Sequence, residues 1–253
     1  GGGEAMEGES DKGGEREGRR ERGSGRREER EKGKERVEGG VEGEAAEGRG
    51  KRGEGGQKKR QARQFWTQHV TTIHTIAEAT QALEAYYHAL TIADYGAAAE
   101  VLLNSRHNQW GQHLTLGSTL YRMGLLQPAM TAISTLLPHL PQDQRASELR
   151  NILADVYWIS GKIHAAISMQ KQAQAIARQG LDAAATNTAD DHELYCWRML
   201  EVDALLSLGL YHLDLWELAD AAGYLRAVIT AARDTPHQSW ADKAALCLAL
   251  VAS

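Results

Sequence analysis

One ordering of residue sizes is written twice in this chain at a displacement of about 37 positions, and that restricts it to folds that repeat a unit of this length. Leu116-Gly117, Leu120, Gly124, Ala129, Ile133, Leu136 and Pro141 align with Leu153-Ala154, Tyr157, Gly161, Ala166, Gln170 and Ala173. Leu208-Gly209, Ala221, Leu225 and Val228 form a third copy, and Asp94-Tyr95, Ala98 and Leu102 match the second half of an earlier one. A period in the thirties is the signature of paired helices that stack, because a single pair cannot bury its apolar face alone.

Apolar spacing within the copies is three-and-four, which places the apolar residues on one side of a helix. Ile73, Ile76, Ala77, Leu83, Tyr86, Tyr87 and Leu90 predict a helix from about Gln64 to Ala93, broken at Asp94-Tyr95-Gly96. Ala97–Asn104 reads as its partner. Asn108–Met123 reads as a helix with Trp110, Leu114, Leu116, Leu120 and Tyr121 inward, closed by Gly124, whose freedom at positive φ suits a helix end. Pro128 opens Gln127–Leu137, and Pro138 with Pro141 ends it. Asp143 is placed to cap a helix carrying Leu149, Ile152, Leu153, Val156 and Tyr157; Gly161 turns the chain into Ile163–Arg178, and Gly180 closes that helix. Leu181–Asp191 reads as a linker or a frayed extension of that helix. Helices from about His192 to Leu208, Leu215 to Arg233 and, after Thr235-Pro236, Gln238 to Val251 complete the reading. Strand signals are nearly absent.

The order of a Leu-Gly or Leu-Ala pair, an aromatic, a turn Gly, a small Ala, a large apolar residue and a closing Pro resembles the tetratricopeptide repeat family over about residues 80 to 235. Small Gly117, Ala154, Ala129 and Ala166 let helices approach, while Leu116, Leu153, Tyr157 and Ile133 fill the space between pairs. Trp216 stands where the turn Gly of the last copy belongs, the first copy lacks its Leu-Gly, and the spacing drifts from about 31 to about 55. A generic helical repeat or an irregular bundle fits the same spacing. The resemblance implies an all-α fold, a right-handed solenoid of antiparallel helix pairs, over residues 63–253. The wording of Ala82–Met130, with Glu84-Ala85-Tyr86-Tyr87-His88 and Ser118-Thr119-Leu120-Tyr121-Arg122, is also similar to the repeat arms of bacterial, especially cyanobacterial, signalling ATPases. That implies a ligand-sensing arm whose nucleotide-binding core lies outside this chain, since no Gly-x-x-x-x-Gly-Lys-Ser/Thr occurs here.

Residues 1–62 cannot join such a stack. About 50 of the first 60 residues are Gly, Glu, Arg or Lys, so almost no apolar area offsets the roughly 1–2 kcal/mol per residue of lost backbone freedom. Disorder is expected there. Basic and acidic residues nearly cancel in this tail, as in Arg26-Arg27-Glu28-Glu29-Arg30-Glu31-Lys32, and the remainder of the chain is acidic; neither offers the cationic patch that nucleic acid requires. The Gly/Arg stretches Gly18-Arg19-Arg20 and Gly25-Arg26-Arg27 are the only counter-signal, for weak RNA contact. All four tail residues can be encoded by purine-only codons, and a translated purine-rich tract accounts for the segment without a function.

Cys196 and Cys247 make no spaced framework, so reduced thiols are expected. No secretory signal and no run of about 18 apolar residues is present, and the expected location is the cytoplasm, with no membrane partner.

No catalytic or metal-binding set emerges. His192 and Cys196, four apart, share a helix face, but two ligands do not make a site; His69 with His74, and His107 with His113, are not at helical ligand spacing. No Gly-x-Ser-x-Gly elbow appears, and the short loops of a helical stack leave little room for a catalytic pocket. An enzyme is not expected, nor any cofactor. Among six tryptophans, Trp158 and Trp197 are expected between repeats, and Trp110 and Trp240 near helix starts. In the resembled family the first helix of each pair lines a concave groove. Carried onto this chain, that face holds Glu84 and Tyr87; Thr115, Ser118 and Arg122; and Glu148, Asn151 and Asp155. The expected function is a protein-interaction scaffold that receives a peptide or partner protein there. Leu246, Leu248, Leu250 and Val251 on the last helix lack a following partner, so self-association through it, or a chain cut from a longer repeat protein, is a further expectation.

Overall fold

The computed structural model describes residues 70–186 and 190–252, together with positions 57, 58, 60 and 61. The expected disordered tail, residues 1–62, lies outside the described residues apart from those four positions, which are helical. Among the described residues nine α-helices follow one another: α1 Ile76–Thr91, α2 Tyr95–Leu103, α3 Leu116–Arg122, α4 Leu126–Leu136, α5 Gln144–Ile159, α6 Ile163–Thr186, α7 Asp191–Asp214, α8 Leu218–Ala232 and α9 Gln238–Ala252. A single 3-10 turn, Leu137–His139, follows α4. The chain is an all-α helical repeat of four hairpins, α1/α2, α3/α4, α5/α6 and α7/α8, with α9 packed on α8.

One local device makes all four hairpins. The last turn of the first helix ends in a residue at positive φ: Ala93 (55°), Gly124 (82°), Gly161 (74°) and Trp216 (60°). In each, its N–H donates to the carbonyl three residues back, and the next N–H reaches five back, as in Gly161 to Trp158 O at 2.9 Å and Lys162 to Tyr157 O at 2.8 Å. This is the Schellman closure, which satisfies carbonyls that a helix end leaves free. Glycine adopts that conformation without a penalty, but Trp216 does not, and its ring is 82% exposed, so little burial offsets the strain. Trp216→Gly is therefore expected to stabilise the protein by about 1 kcal/mol, the relieved left-handed strain less the added chain entropy of glycine. Urea unfolding midpoints of the two proteins measure it.

The structure corrects several boundaries. The first helix starts at Ile76, not Gln64: residues 64–69 lie outside the described residues, and a capping box stops the helix at Thr75, whose Oγ1 accepts from Glu78 N while Glu78 Oε2 accepts from Thr75 N at 2.9 Å. The region expected as a helix from Asn108 begins instead with a small three-stranded sheet. β1 (Thr72–Ile73) pairs in parallel with β2 (Ser105–Asn108), which pairs antiparallel with β3 (His113–Thr115). Asn108 turns the chain between β2 and β3, its Oδ1 accepting from Trp110 N and Gln112 N, with Gly111 at positive φ. Trp110 is thus exposed on a turn rather than inward. His107 and His113 become cross-strand partners, ring centroids 4.7 Å apart. Arg106 clamps the sheet: its fully buried guanidinium donates to Val70 O, Val101 O and Asn104 O, and burial lowers its pKa to about 10.

Gly180 does not end its helix. α6 runs on to Thr186, and the absent side chain serves packing: a Cβ at Gly180 would lie 2.4 Å from Cδ2 and Cε2 of Trp197 on α7. Gly117 works similarly, its missing side chain admitting Ile152, and Ala129, Ala154 and Ala166 are fully buried where small residues were expected. The apolar core is built from Leu116, Leu120, Ile133, Leu136, Leu149 and Leu153 in the middle pairs and from Val202, Leu205, Leu225 and Val228 toward the end.

Packing gives the stack an inner and an outer side. The first helices α1, α3, α5, α7 and α9 each touch the next first helix, whereas α4 and α6, and α6 and α8, make no comparable contact. Helices that splay apart leave gaps, and two crevices open there: one of about 300 Å³ over α5 and one of about 470 Å³ over α7. From α5 onward the row of first helices is therefore the closer, inner face, whereas α2 and α4 touch as α1 and α3 do.

Candidate functional site: the inner face of the stack

The residues expected on this face do not share one environment. Glu84 and Tyr87 on α1 are exposed, Tyr87 resting edge-on against Tyr86. Thr115 and Ser118 are half-buried and occupied with starting α3: Thr115 Oγ1 accepts from Ser118 N and donates to Ser118 Oγ at 2.9 Å. Arg122 is exposed at the end of α3, donating to Gln112 Oε1 at 2.7 Å.

Glu148, Asn151 and Asp155, by contrast, gather with residues to which the sequence reading gave no site role. Asp155 bridges three first helices, accepting from Tyr121 Oη on α3 at 3.2 Å and from Tyr211 Oη on α7 at 2.8 Å. One turn earlier Asn151, only 6% exposed, donates to Asp203 Oδ2 on α7 at 3.3 Å and accepts from Gln170 Nε2 on α6 at 2.7 Å. Asn151 is thus a structural tie, not a free contact residue. Asp203 occupies the position of Glu148 displaced by 55, the same displacement that sets the third copy, so that repeat arithmetic was the signal that could have found it. Tyr121, Tyr211 and Gln170 carried no such signal, because their partners lie 19 to 56 positions away.

Electrostatics make this the most unusual part of the molecule. Burial raises the pKa of Glu148. It raises that of Asp155 too, against the lowering effect of the two tyrosine hydroxyls and Arg122. Asp203 is pushed up to about 7 by burial and then by the charges of Asp155 and Glu148, with Lys243 and the Asn151 bond opposing. Tyr121 rises to about 12, chiefly by burial and then by Asp155. Three partly buried carboxylates on α5 and α7 therefore lie within electrostatic reach of one another, and of Arg122 and Lys243. Lys243 Nζ sits over the Trp240 ring, 4.7 Å from its centroid. Such a cluster favours a cation. The Cys196 thiol on α7 is raised by burial and then by Glu148 and Asp190, away from the thiolate a reactive cysteine needs.

His212, Glu217 and Asp220, at the turn between α7 and α8, place ligand-type atoms within 4.8 Å of one another. Ligands at about 2.1 Å around a tetrahedral metal stand about 3.4 Å apart, and His212 Nδ1 lies 2.5 Å from Glu217 Oε2. That spacing is a hydrogen-bonded pair closing the helix end. His192 approaches Cys196 Sγ at 3.8 Å, again as a contact of two groups only.

Compared with known proteins, the chain matches no family model and no curated protein. Among the described residues no helix is long and apolar enough to cross a membrane.

Proposed function

We propose that this helical repeat is a protein-interaction scaffold of tetratricopeptide type, cytoplasmic, which holds a peptide or partner-protein segment along its inner face. The observation that carries the reading is the convergence of Glu148, Asp155 and Asp203 on adjoining first helices with their acidities suppressed. Carboxylates crowded this way relieve their mutual repulsion by accepting a cationic group, so the segment presents a lysine or arginine at this point. The exposed Glu84 and Tyr87 on α1 and Arg122 on α3 extend the contact surface along the stack. The groove is preformed, because α5 is tied to α3, α6 and α7 by the hydrogen bonds of Asp155 and Asn151.

The test is selection of peptides from a random display library on the full chain, followed by affinity measurement with Glu148→Gln plus Asp203→Asn. Selected sequences should carry Lys or Arg, and the double variant should bind them at least about tenfold more weakly, the worth of one charge-assisted hydrogen bond. Peptides without a basic residue that bind both proteins equally would remove the reading. Asn151→Ala is a poor probe by comparison, since it breaks a buried network.

A further inference from the structure

The outer face carries a second arrangement, independent of the groove. In the crevice over α5, between α4 and α6, Leu137, Pro138, Leu153 and Met169 form apolar walls, and Ser134 and Gln172 stand as polar groups. Arg150 reaches into the same crevice and is only 8% exposed. Its Nη1 donates to Ala146 O at 3.0 Å, one turn back along its own helix, while its Nε is buried with no partner. No carboxylate among the described residues pairs with it. A guanidinium whose Nε is taken out of water with neither an acceptor nor a counter-charge is a net cost to folding.

The repeat shows that the fold does not require it. Displaced by 55 positions, Arg150, Met169 and Gln172 become Leu205, Tyr224 and Ala227, and these line the equivalent crevice over α7. Where the architecture repeats this site, leucine fills the arginine's place. A charge is thus retained, buried and unpaired, in a cavity where an aliphatic residue suffices for packing.

We infer that the α4–α6 crevice binds a small organic carboxylate with an apolar body. The carboxylate accepts from Arg150 Nη2, the guanidinium nitrogen that is neither buried nor already bonded, and the body rests on Leu137, Pro138, Leu153 and Met169. One cation among apolar walls suits a single negative charge rather than a phosphate, whose greater charge and three oxygens call for more donors. About 300 Å³ is the small end of ligand pockets, which limits the body to one ring or a short branched chain.

Calorimetric titration of the full chain with hydrocinnamate and isocaproate, each beside its neutral amide, tests this. The wild-type protein should prefer each acid over its amide by at least about tenfold. Arg150→Leu, which installs the residue used at position 205, should fold with an unchanged circular dichroism spectrum and lose the preference; Arg150→Lys should keep part of it. The groove variant Glu148→Gln plus Asp203→Asn should retain it in full, which separates this site from the inner face. Absence of any preference in the wild-type protein, or its survival in Arg150→Leu, overturns the assignment.

Discussion

Gly180→Val is expected to destabilise the protein by about 3 kcal/mol, the upper part of the range for forcing a side chain into a packed interface. The cause is specific. A Cβ at position 180 would overlap the Trp197 ring at 2.4 Å, and both residues sit within helices, so neither backbone can step aside cheaply. The ring must leave its buried place between α6 and α7, or the helices must part. Helix propensity works in the opposite direction, since valine is better than glycine inside a helix by a few tenths of a kcal/mol, but that gain is too small to compensate. A double-mutant cycle checks the cause. In a Trp197→Ala background the space is open, and Gly180→Val should cost little; an undiminished cost there would show that the contact with Trp197 is not the reason. Denaturant midpoints of the four proteins supply the measurement.

The second large effect is a dependence of stability on pH that runs opposite to that of an ordinary salt-bridged acid. Asp203 has its pKa raised from 3.8 to about 7 in the folded protein. Between those values the native state holds a proton that the unfolded state has released, so stability falls as pH rises from about 4 to about 7 and levels off above. A displacement of that size corresponds to about 4 kcal/mol. The effective dielectric of a protein interior, well above that of dry protein, reduces the expected loss to on the order of 2 kcal/mol. Glu148 and Asp155, raised in the same direction, add to the slope. Asp203→Asn should flatten much of this dependence and make the protein more stable than wild type above pH 7, while its side-chain oxygen can still accept from Asn151. Urea unfolding across pH 4 to 8 decides the matter, and a variant that keeps the full wild-type slope would assign the titration to another group.

The same titration bears on binding. A cationic segment in the groove stabilises the ionised form of Asp203, so the peptides selected on the inner face should bind more tightly as pH rises through 7.

Much of this architecture was legible in the chain because it is locally encoded. Gly124 and Gly161 mark turns since glycine reaches positive φ freely, Asp143 caps α5 through Ala146 N at 3.1 Å, and three-and-four spacing orients each helix whatever lies beside it. The displacement of 37 carried the pairing of α3/α4 with α5/α6, and the displacement of 55 carried α7/α8. What the local rules misplaced depends on contacts distant in sequence. Ser105–Thr115 takes strand form because β2 has partners on both sides and Arg106 binds three carbonyls, one of them 36 positions away. Gly180 looks like a helix end until Trp197 is seen to occupy the space above it. Trp216 breaks the turn rule because the hairpin closes even at the cost of a left-handed tryptophan.

The sequence by itself thus determined most of the helices and their pairing, since backbone conformation and amphipathic spacing act within a few residues. Only the tertiary structure decided which polar groups meet. Asp155 finds Tyr211 across 56 positions, Asn151 finds Asp203 across 52, and Arg150 is left without a counter-charge in a crevice formed by helices on either side of its own. These juxtapositions, and the suppressed acidity and buried charge that follow from them, arise where separate repeats stack and water is excluded, and no local pattern carries that information.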